Sequence, residues 1–172
     1  MPSLLESYIR DIPDFPKPGI VFKDISPLIE NADAFRLALH AFEELVKDIH
    51  IDKIVGIESR GFLFGAPLAD RIGAGFVMAR KKDKLPADRI SVSYDLEYGT
   101  NTIEMHNDSI AAGEHVLVID DVLATGGTAN AACSLVEQLG GTVSATAFLI
   151  ELTFLDGRQK LDGRDVRRLI KY

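Results

Sequence analysis

Residues 116–132 read V-L-V-I-D-D-V-L-A-T-G-G-T-A-N-A-A: an apolar run, two adjacent acids, then a glycine turn flanked by hydroxyls. Small residues compatible with a helix follow the turn. Backbone N–H groups at such a turn, with a helix dipole behind them, converge on an anion, and the hydroxyls of Thr125 and Thr128 add donors. A plain glycine cap would account for Thr125-Gly126-Gly127-Thr128 equally well. Asp120 and Asp121 follow four apolar residues, where two like charges withdrawn from water are costly unless they meet donors or a cation. A structural arginine is one such partner, and the vicinal hydroxyls of a ribose are another. A sugar carrying a diol in its middle and a phosphate at one end satisfies both the acids and the turn. G-x-x-x-x-G-K-[ST] and G-x-G-x-x-G do not occur, which disfavours a nucleoside-triphosphate loop and a dinucleotide fold.

Positive charge lies elsewhere, on Arg60 in E-S-R-G and on Arg80, Lys81 and Lys84 in R-K-K-D-K-L-P. Such a run is ordinarily a solvated face. With a phosphate cradle opposite, a second anion site becomes the better reading, suited to a pyrophosphate carrying Mg²⁺. His40, His50, His106 and His115 have no metal-ligand spacing and read as surface or satisfied core positions. Cys133, within the small-residue helix, reads as packing.

Three kinds of element must position these groups. Residues 12–19 hold three prolines and form an extended arm or loop. Helical spacing predicts helices over 31–48, with Asn31 or Asp33 as N-cap, over 62–72 ending at Gly73, and over 128–139. Strands are predicted at 54–57, 76–78, 116–119 and 142–150, and alternation over 90–97 and 102–106 predicts a hairpin turning at 98–101. Strands alternating with helices indicate an α/β fold with a mostly parallel central sheet flanked by helices. In such sheets ligands bind beyond the carboxyl ends of the strands, where E-S-R-G, the basic segment and D-D-V-L-A-T-G-G-T all fall.

At 172 residues the chain is one domain by length, spanning 1–172. A net charge of -7 argues against a nucleic-acid partner and against anionic membranes. No apolar stretch approaches the roughly 20 residues of a membrane span, and the N-terminus lacks the basic-then-apolar order of a signal peptide. A single cysteine excludes an internal disulfide and fits a cytoplasmic location.

V-L-V-I-D-D-V-L-A-T-G-G-T-A resembles the phosphoribosyl-pyrophosphate motif of the type I phosphoribosyltransferases. P-D-F-P-K-P-G-I-V-F-K-D-I-S-P-L, E-S-R-G-F-L-F-G, R-K-K-D-K-L-P and Y-D-L-E-Y-G narrow the resemblance to the members of that family that use adenine. The matching segments run in order from about Pro13 to Thr153; T-N-T-I-E-M-H and the C-terminal tail depart from the pattern. The resemblance implies transfer of ribose 5-phosphate from phosphoribosyl pyrophosphate to adenine, yielding AMP and pyrophosphate with inversion at the anomeric carbon. It implies that Ala124, Thr125, Gly126, Gly127 and Thr128 cradle the 5-phosphate and that Asp120 and Asp121 meet the ribose. Ser59 and Arg60 would face pyrophosphate, in a loop that often holds a strained peptide bond, with Arg80, Lys81 and Lys84 as the basic cluster. Residues 1–30 would form a base-binding hood, with Phe22 covering adenine while Val21 and Lys23 use backbone groups. Residues 80–106 would form a flexible catalytic loop. Mg²⁺ would bind mainly through the substrate, and the enzyme would be a homodimer.

Charge development selects the proton acceptor. As adenine attacks, a proton must leave its imidazole side, and Glu97 in D-L-E-Y-G is placed to take it, with Glu104 a weaker candidate. Tyr98 would help close the loop and exclude water. A solvated hairpin acid is the plain alternative for Glu97. Two other functions remain open: a transferase for hypoxanthine, guanine or xanthine, and a non-catalytic phosphoribosyl-pyrophosphate sensor. An oxopurine site would need donors to the oxo group. A sensor would normally carry an added basic DNA-binding segment, and none is visible.

Overall fold

The structure, a computed structural model, describes residues 2–96 and 99–172. In chain order the elements are α1 (Pro2–Glu6), β1 (Arg10–Pro13), β2 (Val21–Asp24), α2 (Ser26–Glu30), α3 (Ala32–Val46), β3 (Lys53–Ile57) and α4 (Arg60–Ile72). There follow β4 (Gly75–Lys81), β5 (Arg89–Asp95), β6 (Thr100–His106), β7 (His115–Leu123), α5 (Gly127–Gln138) and β8 (Thr142–Glu151). Two short 3₁₀ turns, Thr153–Leu155 and Gly157–Leu161, lead to β9 (Val166–Lys171).

Seven strands form the main sheet in the order β5-β6-β4-β3-β7-β8-β9. β4, β3, β7, β8 and β9 are parallel, and the β5–β6 hairpin adds antiparallel to β4. Both faces are covered, as a parallel sheet requires. Ile54, Leu117 and Ile119 pack with α3 and α4 on one side, while Val55, Ile57, Val116 and Val118 pack with α5 on the other. The chain leaves β3 towards β4 and later returns to β3's other side as β7. Their carboxyl ends therefore bracket the switch point where such sheets hold ligands.

The predicted helices and core strands are present, with shifted ends. Asn31 caps α3, its side-chain oxygen accepting the N–H groups of Asp33 (3.1 Å) and Ala34 (2.9 Å). β4 runs on to Lys81, so Arg80 and Lys81 belong to a strand rather than to the polar loop expected for them. β7 continues through both aspartates to Leu123, because Val122 and Leu123 still pair with Ile150 and Glu151 of β8. The proline arm proves to be partly strand, since β1 pairs with β2 as a separate two-stranded sheet. Asp24 ties that small sheet down. Its carboxylate accepts bonds from the Ser26 hydroxyl (2.6 Å) and N–H (2.9 Å) and from Arg10, which hold it down at about 2.

A close approach fixes α4 on the sheet. A Cβ at Gly56 on β3 or at Gly65 on α4 would lie 2.7 Å from the Phe76 ring, which fills the notch between the two glycines. Gly65→Ala, which ordinarily strengthens a helix by up to about 1 kcal/mol, should here destabilise by about 1–3 kcal/mol through overpacking. Urea denaturation of the variant measures this, and a gain in stability would show that the notch does not constrain α4.

Candidate active site

A cleft of about 260 Å³ opens beyond the carboxyl ends of β3 and β7. It gathers Ser59, Arg60, Lys81, Asp120, Asp121 and Thr128, residues that the sequence reading drew from three separate segments. Two adjacent strand residues normally point to opposite faces. Here the alternation slips, since Ile119 and Val122, three apart, pack with the same core cluster, and both carboxylates reach one cleft.

The acids differ in environment. Asp121, 4% exposed, accepts a 2.5 Å bond from Arg60 Nε. Asp120 accepts the Asp121 N–H at 2.8 Å. Burial, and then the charge of Asp121, push the Asp120 carboxyl well above the usual carboxylate range. Asp120 thus resists ionisation until something in the cleft donates to it or brings positive charge.

Two helix N-termini flank these acids. α5 starts from Gly126, held at φ 83, and α4 starts after Ser59; no side chain caps either helix. Among the described residues the first N–H groups of both helices have no side-chain cap, and each helix end favours an anion. A Cβ at Gly126 would stand 2.2 Å from the carbonyl oxygen of Gly157, so the start of the second 3₁₀ turn braces this turn backbone to backbone. The Glu58–Ser59 peptide at the head of α4 is cis.

Arg80 does not stand free in the cleft. It donates to Glu58 (3.1 and 3.3 Å) and to the carbonyl of Lys84 (3.0 Å), while the Lys81 N–H also donates to Glu58 (2.9 Å). Burial acts to raise the Glu58 carboxyl, but these donors outweigh it and leave it below the usual range. Lys81 is thereby held on the cleft wall, whereas Lys84 contributes only its carbonyl to this network.

A second cleft, about 470 Å³ and lined by Ile12, Phe15, Phe22, Ile29 and Leu63, lies under the β1–β2 sheet. Arg60 lines both clefts, with its guanidinium carbon 5.6 Å from the Phe22 ring centroid. Lys23 turns its ammonium to Asp11 (2.7 Å) and over the Tyr172 ring (3.8 Å), and Val21 lies on the same edge of β2, two residues away. Their N–H and C=O groups share one side of a strand that has a single neighbour.

Glu97 and Tyr98 lie outside the described residues. Glu104 does not fit the proton-acceptor role expected of it as a second candidate. It is 4% exposed and occupied by Arg89 (3.0 Å) and the Asp83 N–H (2.9 Å), at the base of the hairpin. Cys133 is buried in α5, and burial pushes its thiol up to about 12, which agrees with packing. The histidines depart from expectation in two ways. His106 buries an Nε2 that has no partner among the described residues, and His50 meets His115 across Asp52.

The sequence reading missed Tyr94 and Lys160. The Tyr94 hydroxyl accepts a bond from Thr128 Oγ1 at 2.8 Å, and its place on the inward face of β5 follows the alternation of Ile90, Val92 and Tyr94. The Lys160 ammonium lies 3.7 Å from where a Cβ on Gly127 would stand, and no local pattern marks it.

A profile of the phosphoribosyl transferase domain matches residues 28–166. An adenine phosphoribosyltransferase of Carboxydothermus hydrogenoformans is 54% identical over 168 residues, covering 98% of this chain and 99% of that one. The crystal structure of the Thermoanaerobacter pseudethanolicus adenine phosphoribosyltransferase superposes with a TM-score of 0.98 at 51% identity, covering 100% of both chains. That of the Saccharomyces cerevisiae enzyme, complexed with an imino-altritol bisphosphate and adenine, has a TM-score of 0.93 at 42% identity, covering 98% of this chain and 97% of that one. With a sheet of this topology and a site of this composition, the chain belongs to the adenine phosphoribosyltransferase family.

Proposed function

We propose that the chain transfers ribose 5-phosphate from phosphoribosyl pyrophosphate to adenine across the boundary formed by Arg60. The observation that carries this reading is the pair of uncapped helix N-termini on either side of Asp120 and Asp121. One end suits the 5-phosphate and the other the pyrophosphate, and the diol lies between them on the acids. The 5-phosphate takes Ala124–Thr128 and the Lys160 ammonium, with Tyr94 orienting the Thr128 hydroxyl. Pyrophosphate takes Ser59 and Lys81, and Arg60 when it releases Asp121; Arg80 and Lys84 position Lys81 through Glu58.

Adenine fits the apolar second cleft with Phe22 against its ring, and the backbone groups of Val21 and Lys23 on β2 pair with its amino group and ring nitrogens. The ammonium of Lys23, the lysine on that strand, is committed to Asp11. This favours adenine over an oxopurine. Bond formation between the base nitrogen and the anomeric carbon accompanies loss of pyrophosphate, so positive charge grows on the sugar beside the acids while negative charge grows on the leaving group beside cations. Glu97 accepts the imidazole proton, and Tyr98 closes the loop.

The acids supply hard oxygen donors, but Asp121 is already paired and two carboxylates fall short of an octahedral set. Mg²⁺ therefore fits as an ion held mainly by the substrate's pyrophosphate and ribose oxygens, where it would neutralise the leaving group. A homodimer is part of the proposal. No described helix is long and apolar enough to cross a membrane, and a cytoplasmic location belongs to the same proposal.

Pyrophosphate release is measured with phosphoribosyl pyrophosphate, Mg²⁺ and each of adenine, hypoxanthine, guanine and xanthine. Turnover is expected with adenine alone; turnover only with an oxopurine would reassign the base cleft, and none with any base would favour a sensor. Glu97→Gln should lower kcat by about 10²–10⁴ with little change in donor affinity. Wild-type turnover in that variant would return Glu97 to a solvated hairpin acid. Asp120→Asn should weaken donor binding yet raise Tm. The unfolded carboxyl ionises near its ordinary value while the folded one holds its proton, so wild-type stability is lost as pH rises above about 4. The Tm gain should accordingly vanish at acid pH and grow towards neutrality, and a pH-independent difference would contradict the burial of this charge.

A further inference from the structure

At the opposite end of the sheet the amino ends of β3 and β7 bring His50, Asp52 and His115 together. Asp52 Oδ1 lies 3.0 Å from His50 Nε2, and its Oδ2 lies 3.5 Å from His115 Nδ1. These ligand atoms all lie within 4.8 Å of one another. In a tetrahedral ion with metal–ligand bonds of about 2.0–2.1 Å, neighbouring ligand atoms stand about 3.3 Å apart. The two histidine–carboxylate separations, one to each Asp52 oxygen, lie close to that value, and turning the His50 ring, whose side chain is 70% exposed, brings the second imidazole nitrogen towards the first.

The backbone makes this arrangement more than a chance encounter of surface side chains. The Asp52 N–H donates to the His115 carbonyl and the Asp52 carboxylate accepts the His115 N–H, both at 2.8 Å. Asp52 is thereby clamped across the start of the β3–β7 ladder with one oxygen turned to each imidazole. The His50 carbonyl accepts the Ser144 hydroxyl of β8 at 3.2 Å, which moors the third member to the same sheet. The imidazoles meet edge to face with centroids 5.2 Å apart.

We propose that His50, Asp52 and His115 form a binding site for a borderline divalent transition-metal ion, with Zn²⁺ as its occupant. Two imidazole nitrogens and the Asp52 carboxylate suit such an ion, whereas Mg²⁺ demands oxygen ligands. Water completes the coordination on the exposed side. Six strand residues at roughly 3.3 Å each place Asp121 about 20 Å from His115 along β7. The site is separate from the catalytic cleft. Its ion ties the segment between α3 and β3 to β7, a structural staple independent of the transfer reaction.

Metal-stripped protein is titrated with Co²⁺, whose visible absorption reports coordination, and then with Zn²⁺ or Mg²⁺ as competitor. Saturation at one Co²⁺ per chain is expected, with displacement by Zn²⁺ and none by Mg²⁺. His50→Ala and His115→Ala should each weaken binding at least about tenfold. Zn²⁺ should raise the Tm of the wild type and leave that of the double variant unmoved. The metal-free melting curves of wild type and variants verify that each folds. No saturable binding to the wild type, or undiminished binding to the double variant, overturns the proposal.

Discussion

Two neighbouring carboxylates, Asp121 buried and Asp120 partly so, sit where β7 runs on past β3 beside β8, and much of the molecule is arranged around the cost of placing them there. Pairing with β3 ends at Ile119, and pairing with β8 carries the strand on through Asp120 and Asp121 although neither residue favours a strand. Arg60 supplies the counter-charge from the first turn of α4, and its position depends on α4 lying flat on the sheet. Asp120 remains under-compensated, a state that a bound diol or cation relieves. Local destabilisation of this kind is what a ligand can convert into affinity.

Arg60 also explains how two clefts of unlike character act on one substrate pair. Its guanidinium belongs to the acidic cleft through Asp121 and to the apolar cleft through Phe22. A change in either cleft is felt at the same side chain. β4 is organised by a comparable device, with Glu58 collecting the Arg80 side chain and the Lys81 N–H while Lys81 lines the cleft.

Interactions between near neighbours in the chain were legible in the sequence, and those between distant ones were not. The acids and the Thr-Gly-Gly-Thr turn are adjacent, and their chemistry follows from residue type and spacing. Strands of four or more apolar residues and helices with a 3.6 period were equally visible. β2 and β9 were not, because V-F-K-D and V-R-R-L-I-K carry mixed faces whose burial is decided by elements far away. Lys160 reaches Gly127 from another segment, Glu58 meets Arg80 across a strand pair, and His50 finds His115 only once β3 and β7 align. The aspartates looked like the end of a strand because propensity says so, and tertiary pairing extended the strand past them.

The contact between Gly126 and Gly157 sets an order on the making of the protein. During synthesis the whole D-D-V-L-A-T-G-G-T stretch leaves the ribosome before Gly157 does, and domains acquire structure as their parts emerge. Until then the turn lacks the backbone that braces it, since the Gly157 carbonyl occupies the space beside Gly126 and the Ala124 carbonyl the space beside Gly157. The anion-binding turn is thus completed only once Gly157 has emerged. A nascent chain that stops short of Gly157 carries the motif without its support.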